Sequence, residues 1–452
     1  MAAILALVVI AAQFGCVTEP PTKTNNTSTA ANTNAANAPP TPAAPMPTTA
    51  PPKPANDQQM TLPLLDAFFA QDAFASELKS KLLLTDEQVN KLRGIARQET
   101  AKLRESDNDQ RSAGTAKAAR VEASEQIKAV VGEQKLQELT AFLNDRWNGN
   151  TDASTTGGVG VPQDTRVVVN APAFRMDLFE DGKLIKSYKI GIGYPEFPLP
   201  TGLRKAETII FNPTWTPPDE PWVESPNSKV RIGEKIEAGD KLNPLGPIKI
   251  PIGLPSLIHG GKAPAKLGGF ASHGCVGLTS PQVQDFAKRL ARLSGTQISD
   301  EQIAEYGKNK TETKPLKLSK AVPVELRYET ITVEDGKLHI YRDVYDHGTN
   351  TEDNLRNVLQ AYGVAADQLT ENERAQVMRG LSQMARDATG KPSEADGSKP
   401  KKNPTGKVTR TIKGTKEVII EIAALAAKGY PAPVDLDTGI APKKTAPRRH
   451  KK

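Results

Sequence analysis

Residues His259 to Leu278 read HGGKAPAKLGGFASHGCVGL, and the rest of the chain is best read outward from them. The stretch holds two of the five histidines and the one cysteine besides Cys16. Nucleophilic catalysis needs a side chain that can be activated, a base to take its proton, and N–H groups for the developing oxyanion. Cys275, His259 and the glycine-rich backbone around them supply those types. A free thiol titrates near about 8.5, and a neighbouring imidazole lowers that value and raises the thiolate fraction. Three plainer readings compete. A lone cysteine is commonly a small buried hydrophobe, but the SHGCVG run has the composition of a loop. Zinc is a match in ligand type for His259, His273 and Cys275, yet the paired C-x-x-C or H-x-x-x-H spacing is missing. No metal is expected. Chance is the third reading, and the order of the motif argues against it.

The same residues resemble the active-site signature of the YkuD-type, ErfK-like L,D-transpeptidase catalytic domain: His-Gly, a spacer, then Ser-His-Gly-Cys. Here His259-Gly260 precedes Ser272-His273-Gly274-Cys275. By position, the resemblance implies Cys275 as the acyl-accepting nucleophile and His259 as the proton donor and acceptor. The Gly260 carbonyl falls where the imidazole is oriented. Ser272, His273 and Gly274 fall in the part that binds substrate and oxyanion, with the Cys275 N–H beside them. The ErfK-like branch usually has Arg two residues after the cysteine, and this chain has Gly277.

Further motifs extend the resemblance over roughly 164–345, in the family's order. VVVNAPAFRMDLFEDGKLIKSYKIGIG (167–193) resembles the opening hairpin, and FPLPTGLRKAETIIFNPTWTPPDEPW (197–222) the next section. NPLGP (243–247) resembles the approach to the histidine. The residues independently predict strands at 166–170, 174–180 and 183–190, with Asp181-Gly182 as a two-residue hairpin turn. Residues 281–293 predict a helix with Val283, Phe286, Leu290 and Leu293 on one face. A second Asp-Gly hairpin is expected over 322–346, where His339 alternates with apolar residues and reads as structural. His347 reads as a loop residue.

The fold class expected is a mostly-β catalytic domain over 164–346, a YkuD-like β-sandwich with a short helix. A helical region at 62–148 precedes it, joined by a linker at 149–163. In that region Leu82, Leu83, Val89, Leu92 and Ile95 recur at helical spacing, as do Ile127, Val130, Val131, Leu136, Leu139 and Leu143. Thr85 and Gln88 form a capping box. LTDEQ (84–88) and VVGEQ (130–134) resemble the LTxxQ repeats of Spy-like periplasmic proteins, which implies partner binding; a plain helical spacer is the competing reading.

At the N-terminus, AAILALVVIAA (2–12) is too short to span a bilayer and suits a signal-peptide core. Gly15-Cys16 resembles the end of a lipobox, so residues 1–16 are expected to be a signal peptide with Cys16 lipidated. No Lys or Arg precedes the run, which predicts a start codon further upstream, and Gln13 stands where the lipobox usually has Leu. Residues 17–58, nearly all Thr, Pro, Ala, Asn and Ser, are expected to be a disordered tether. The expected location is the cell envelope: periplasmic, with a lipid anchor in the outer membrane. With two cysteines in the chain, no disulfide framework is possible in the mature protein.

Residues 352–390 predict a helical extension with a capping box at Thr370–Glu373. The tail, 391–452, carries 15 Lys/Arg against 6 Asp/Glu and accounts for the whole +7 of the chain. Such a block is usually a solvated face, and 417–427 is expected to form a small helix within it. Nucleic acid is not a partner an exported protein meets; acidic wall or envelope groups are. The resemblance implies peptidoglycan stem peptides as substrate, in cell-wall biogenesis and cell shape, with no cofactor. The transferred acyl group would go to a second stem or to an envelope protein. Hydrolysis (L,D-carboxypeptidase) and a non-catalytic peptidoglycan-binding lipoprotein are the alternatives.

Overall fold

The computed structural model describes residues 60–69, 74–104, 116–148, 160–217, 223, 228–253, 256–392 and 408–440. The expected signal peptide with Cys16, the tether, and most of the 149–163 linker lie outside the described residues. Among the described residues, no helix is long and apolar enough to cross a membrane.

Five helices come first: α1 (Leu62–Phe69), α2 (Phe74–Leu82), α3 (Asp86–Arg104), α4 (Ala116–Val131) and α5 (Glu133–Asn148). They bury one shared core that includes Leu65, Phe74, Leu78, Leu92, Ile127 and Leu139. The capping box at the start of α3 forms as read, with Gln88 N–H on Thr85 Oγ1 at 3.2 Å and Thr85 N–H on Gln88 Oε1 at 3.0 Å. Leu83 departs from the pattern. Its φ is +54° and it is 76% exposed, because it ends α2 in the left-handed conformation and Leu84 turns inward instead.

Residues 164–327 are mostly β, as the sequence leads one to expect. The strands are β1 (Arg166–Asn170), β2 (Arg175–Glu180), β3 (Lys183–Lys189), β4 (Ile192–Gly193), β5 (Gly202–Phe211), β6 (Ile248–Pro251), β7 (Leu257–His259), β8 (Phe270–Ser272) and β9 (Val276–Gly277). Helices α6 (Ser280–Leu293) and α7 (Asp300–Lys308) and strand β10 (Lys314–Arg327) follow. Eight strands form one sheet in the order β3-β2-β1-β10-β5-β6-β7-β9, and β4 pairs with β8 alongside. Asp181 and Gly182 both have positive φ (+49° and +77°), as a tight turn matching the strand twist requires. α6 starts at a capping box of Thr279 and Gln282 and packs Val283, Phe286 and Leu290 onto the sheet core.

The second Asp-Gly hairpin belongs elsewhere. β11 (Ile331–Glu334) and β12 (Lys337–Tyr341) form a separate sheet with β13 (Glu417–Glu421), covered by α8 (Glu352–Ala361) and α9 (Glu371–Met384). Leu338, Ile340, Leu359, Leu381 and Ile420 share its core. The small helix expected at 417–427 is therefore a strand followed by a single 3-10 turn at Ala423–Leu425. β-branched Val418, Ile419 and Ile420 favour the strand once β12 offers an edge. Further on, the chain edges the large sheet, where Ser187 N–H donates to Val434 O and Lys189 N–H to Asp437 O, both at 2.9 Å.

Candidate active site

β7 lies between β6 and β9, so His259 faces Lys249 on the antiparallel side and Gly277 on the parallel side. Adjacent strands sit about 4.8 Å apart, and this register brings the two ends of the HGG…SHGC stretch together. Gly260 has no room for a side chain: a Cβ there would lie 2.7 Å from Val283 Cγ1 on α6 and 3.1 Å from Pro247 Cδ. The NPLGP segment thus seats directly against the His-Gly turn.

His259 is 3% exposed, and its Nδ1 lies 2.8 Å from the Gly260 carbonyl. A carbonyl can only accept, so Nδ1 carries the proton and Nε2 keeps the basic lone pair. Burial, followed by the charge of Lys262, pushes the His259 imidazole down to about 3, against the pull of the Gly260 and Leu245 backbone. The ring is neutral at rest.

The Ser272–Cys275 turn is held by its own residues. Ser272 Oγ donates to Cys275 O at 2.5 Å and accepts the Cys275 N–H at 3.0 Å. Gly274 adopts φ +86°, and its carbonyl is drawn away by the Ser256 hydroxyl at 2.9 Å. That leaves the Gly274 N–H with no acceptor among the described residues. The Cys275 N–H, expected beside it at an oxyanion, is taken by Ser272 in this state.

Cys275 is a free, half-buried thiol. Burial pushes it above its ordinary value, opposed by a Leu257 backbone hydrogen bond and by Lys262. The sequence suggests a thiol already activated by imidazole; burial instead holds the thiol above its ordinary value, and both groups are neutral at rest. His273 rests edge-on against Tyr194 and Phe197, with ring centroids 5.2 Å and 4.8 Å away. Burial, then Arg410, then Lys262, push it down to about 3, so it lines the site as a neutral aromatic wall. His259, His273 and Cys275 form no metal-ligating cluster; none of three or more His, Cys, Asp or Glu occurs among the described residues.

Sequence reasoning missed several neighbours. Arg410 lies over the Tyr194 ring at 4.4 Å and 3.8 Å from the carboxylate of buried Glu196. Nothing local in the tail sequence marks it, because its partners are some 200 residues earlier. Lys262 lay inside the quoted stretch and was readable there as the one cation following the His-Gly-Gly turn. His339 proves to be bonded through Nδ1 to Glu417 at 2.7 Å, in the second module.

Residues 164–313 match the family model described as YkuD, the L,D-transpeptidase catalytic domain. Among solved structures, the chain is similar to the catalytic domain of the E. faecium L,D-transpeptidase, at 18% identity and a TM-score of 0.24, covering 37% of this chain and all of that one. It is also similar to an L,D-transpeptidase from Mycobacterium smegmatis, at 15% identity and a TM-score of 0.21, covering 36% of this chain and 58% of that chain. L,D-transpeptidase 3 from Mycobacterium tuberculosis gives 14% and 0.21, covering 36% of this chain and 60% of the other. The chain thus spans about half to three fifths of the longer enzymes it is similar to. Among curated proteins, none matches. Over residues 164–313 the chain carries a YkuD-type domain, the L,D-transpeptidase catalytic domain.

Proposed function

We propose that the protein is a peptidoglycan L,D-transpeptidase acting through a thioester on Cys275. The observation that carries the reading is the β7–β9 register, which sets His259 opposite Gly277, just past Cys275, with Nδ1 fixed on the Gly260 carbonyl. In this reading Nε2 of His259 takes the thiol proton as Sγ adds to a carbonyl. The carbonyl is that of the third residue, typically meso-diaminopimelate, in a tetrapeptide stem. Burial raises the cost of the thiolate that develops as Sγ attacks.

The oxyanion is received by the Gly274 N–H, with the His273 and Cys275 N–H groups beside it. The C–N bond then breaks, the imidazolium returns its proton to the departing D-alanine amine, and a thioester remains. An acceptor amine attacks that thioester, gives a proton to His259 and releases the thiol. The acceptor is a second stem, giving a 3→3 cross-link, or a side-chain amine of an envelope protein. Water in its place gives L,D-carboxypeptidase activity.

The same reading puts the enzyme in the periplasm, with Cys16 lipidated in the outer membrane and residues 17–58 reaching towards the wall. Gly277, where an arginine is usual, favours a second reading: a non-catalytic peptidoglycan-binding lipoprotein. Incubating the full chain with disaccharide-tetrapeptide, alongside Cys275→Ala, and weighing the products by mass spectrometry separates these. A cross-linked dimer that needs Cys275 establishes transpeptidation, and tripeptide alone indicates hydrolysis. Stem binding with no Cys275-dependent product gives the second reading.

A further inference from the structure

Lys262 occupies the space that a side chain at position 277 would fill. Its backbone N–H donates to Leu278 O at 3.0 Å, which fixes residue 262 beside β9. From there the side chain runs across Gly277: a Cβ built on Gly277 would lie 2.8 Å from Lys262 Cγ, 3.1 Å from Cε and 3.4 Å from Cδ. Any residue but glycine at 277 displaces this stem. Gly277 faces His259 in the register and follows Cys275 by two positions, so the stem crosses the strand pair that carries the histidine and the cysteine.

Among the described residues Lys262 makes no ion pair and no side-chain hydrogen bond, and it is half-buried. The groups that face Cys275 and its surroundings are few. They are Lys262 on the turn after β7, His259 at the end of β7 and His273 in the cysteine's own turn, with Lys266 behind Lys262 and the Arg410–Glu196 pair beyond His273. Of these only Glu196 is acidic, and it lies on the Arg410 side. A half-buried cation without an anion is costly unless an anion forms beside it. The anion this site can form is the Cys275 thiolate.

We propose that Lys262, laid over the bare α-carbon of Gly277, is the positioning residue that supports the Cys275 thiolate electrostatically. The assignment rests on the reading of Cys275 as nucleophile and deepens it. It also gives Gly277 a role: glycine there makes way for a cation supplied from the other side of the strand pair. The direction of the mutual influence agrees, since Lys262 lowers the thiol's proton affinity while Cys275 raises that of Lys262.

The test is the pH profile of Cys275 alkylation by iodoacetamide in the full chain, read on the Cys275 peptide by mass spectrometry. Lys262→Met is expected to move the midpoint up by about one pH unit and to slow alkylation at pH 7 about tenfold. Lys262→Arg is expected to keep the midpoint near the parent value. Gly277→Ala, which leaves the lysine but pushes its stem aside, is expected to shift the midpoint in the same direction as Lys262→Met. The double variant should shift it no further than Lys262→Met alone. An unmoved midpoint in Lys262→Met, or in Gly277→Ala should the first variant fold poorly, overturns the proposal. Alkylation reads the thiol whether or not stems are transferred. A shifted midpoint in an enzyme that makes no cross-link would therefore count against the proposed function and leave Lys262 in place.

Discussion

The hydroxyl of Tyr345 donates to the Gly193 carbonyl at 3.0 Å and accepts the Leu199 N–H at 3.1 Å. Gly193 in turn lies against the Ser272–Cys275 turn, since a Cβ on it would fall 3.0 Å from both the N and Cα of Gly274. Tyr345 therefore braces, through one strand residue, the backbone that carries the proposed oxyanion donor. Its ring is fully buried and stacks on Tyr328 and Phe270, at 5.4 Å and 6.1 Å. Tyr345→Phe keeps the stacking and leaves a buried N–H and C=O unpaired, at about 1–3 kcal/mol. The expected result is a melting temperature lower by several degrees and a kcat reduced several-fold, with KM nearly unchanged. An unchanged kcat would show that Gly193 holds its place without the hydroxyl.

Gly193→Ala tests the same contact from the other side. The added methyl would sit 2.1 Å from the Phe197 carbonyl, which is backbone and has little freedom to yield. The turn at Gly274 or the Tyr194–Phe197 loop has to move. Cross-linking is expected to fall at least about tenfold, on the general sensitivity of catalysis to small misplacements. Product yield in the stem assay measures it, and full activity would show that the loop adapts freely.

Arg120 on α4 sends one guanidinium N–H to Tyr345 O at 2.7 Å and another to Asp346 O at 2.6 Å. It is 7% exposed, and these bonds tie the helical region to the segment that carries Tyr345. Lysine cannot serve two carbonyls with one rigid fork. Arg120→Lys is expected to lower stability by about 1–3 kcal/mol, seen as an earlier unfolding midpoint in urea. A midpoint equal to the parent's would reduce α4 to a spacer, the plainer of the two readings of that region.

The parts legible in the sequence are those whose physics is local. Asp181-Gly182 announces a turn because two adjacent positive φ values suit few other pairs. Thr85 and Thr370 announce helix starts through Gln88 and Glu373 three residues on. The Ser272–Cys275 turn is visible because it closes on itself, serine hydroxyl to cysteine backbone. β13 was misread for the opposite reason. Ile420 and Ile422 point inward and Ile419 outward, a two-residue alternation, but the Ala-rich residues after it read as helix. Its pairing edge on β12 lies about 80 residues away. Arg410 is not legible in the sequence because a surface cation and a buried one look alike until their neighbours are known.

Ile420 supplies a test of that second module. It is 3% exposed, pairs with Leu338 and packs against α9 near Gly380. Ile420→Ala is expected to cost about 2–5 kcal/mol of the module's stability. Truncation at residue 390 removes the strand outright, so it would mix loss of the tail's charge with unfolding of the module. Reversing the charge of Lys443 and Lys444 is the cleaner comparison for the tail's basic character.

Glu196 sets a pH dependence. It is 2% exposed, and neither carboxylate oxygen accepts a hydrogen bond among the described residues. Burial raises its proton affinity to about 7, with Arg410 and its own backbone opposing. A carboxyl held above its unfolded value binds its proton more tightly in the folded state. Its contribution is complete below the unfolded value of 4.5 and is lost as pH rises through about 7. Each unit of difference is worth about 1.4 kcal/mol. Glu196→Gln cannot ionise, so its melting temperature should match the parent near pH 4 and exceed it by several degrees at pH 8.5. Arg410→Met removes the one cation that offsets the buried charge, and should make the parent's alkaline loss steeper. Because Glu196 O also accepts the Thr61 hydroxyl at 2.7 Å, and Tyr194 two residues earlier meets His273, the loop that titrates is the one joining the helical region to the catalytic face. Parallel pH curves for parent and Glu196→Gln would mean that Arg410 already neutralises the carboxylate throughout.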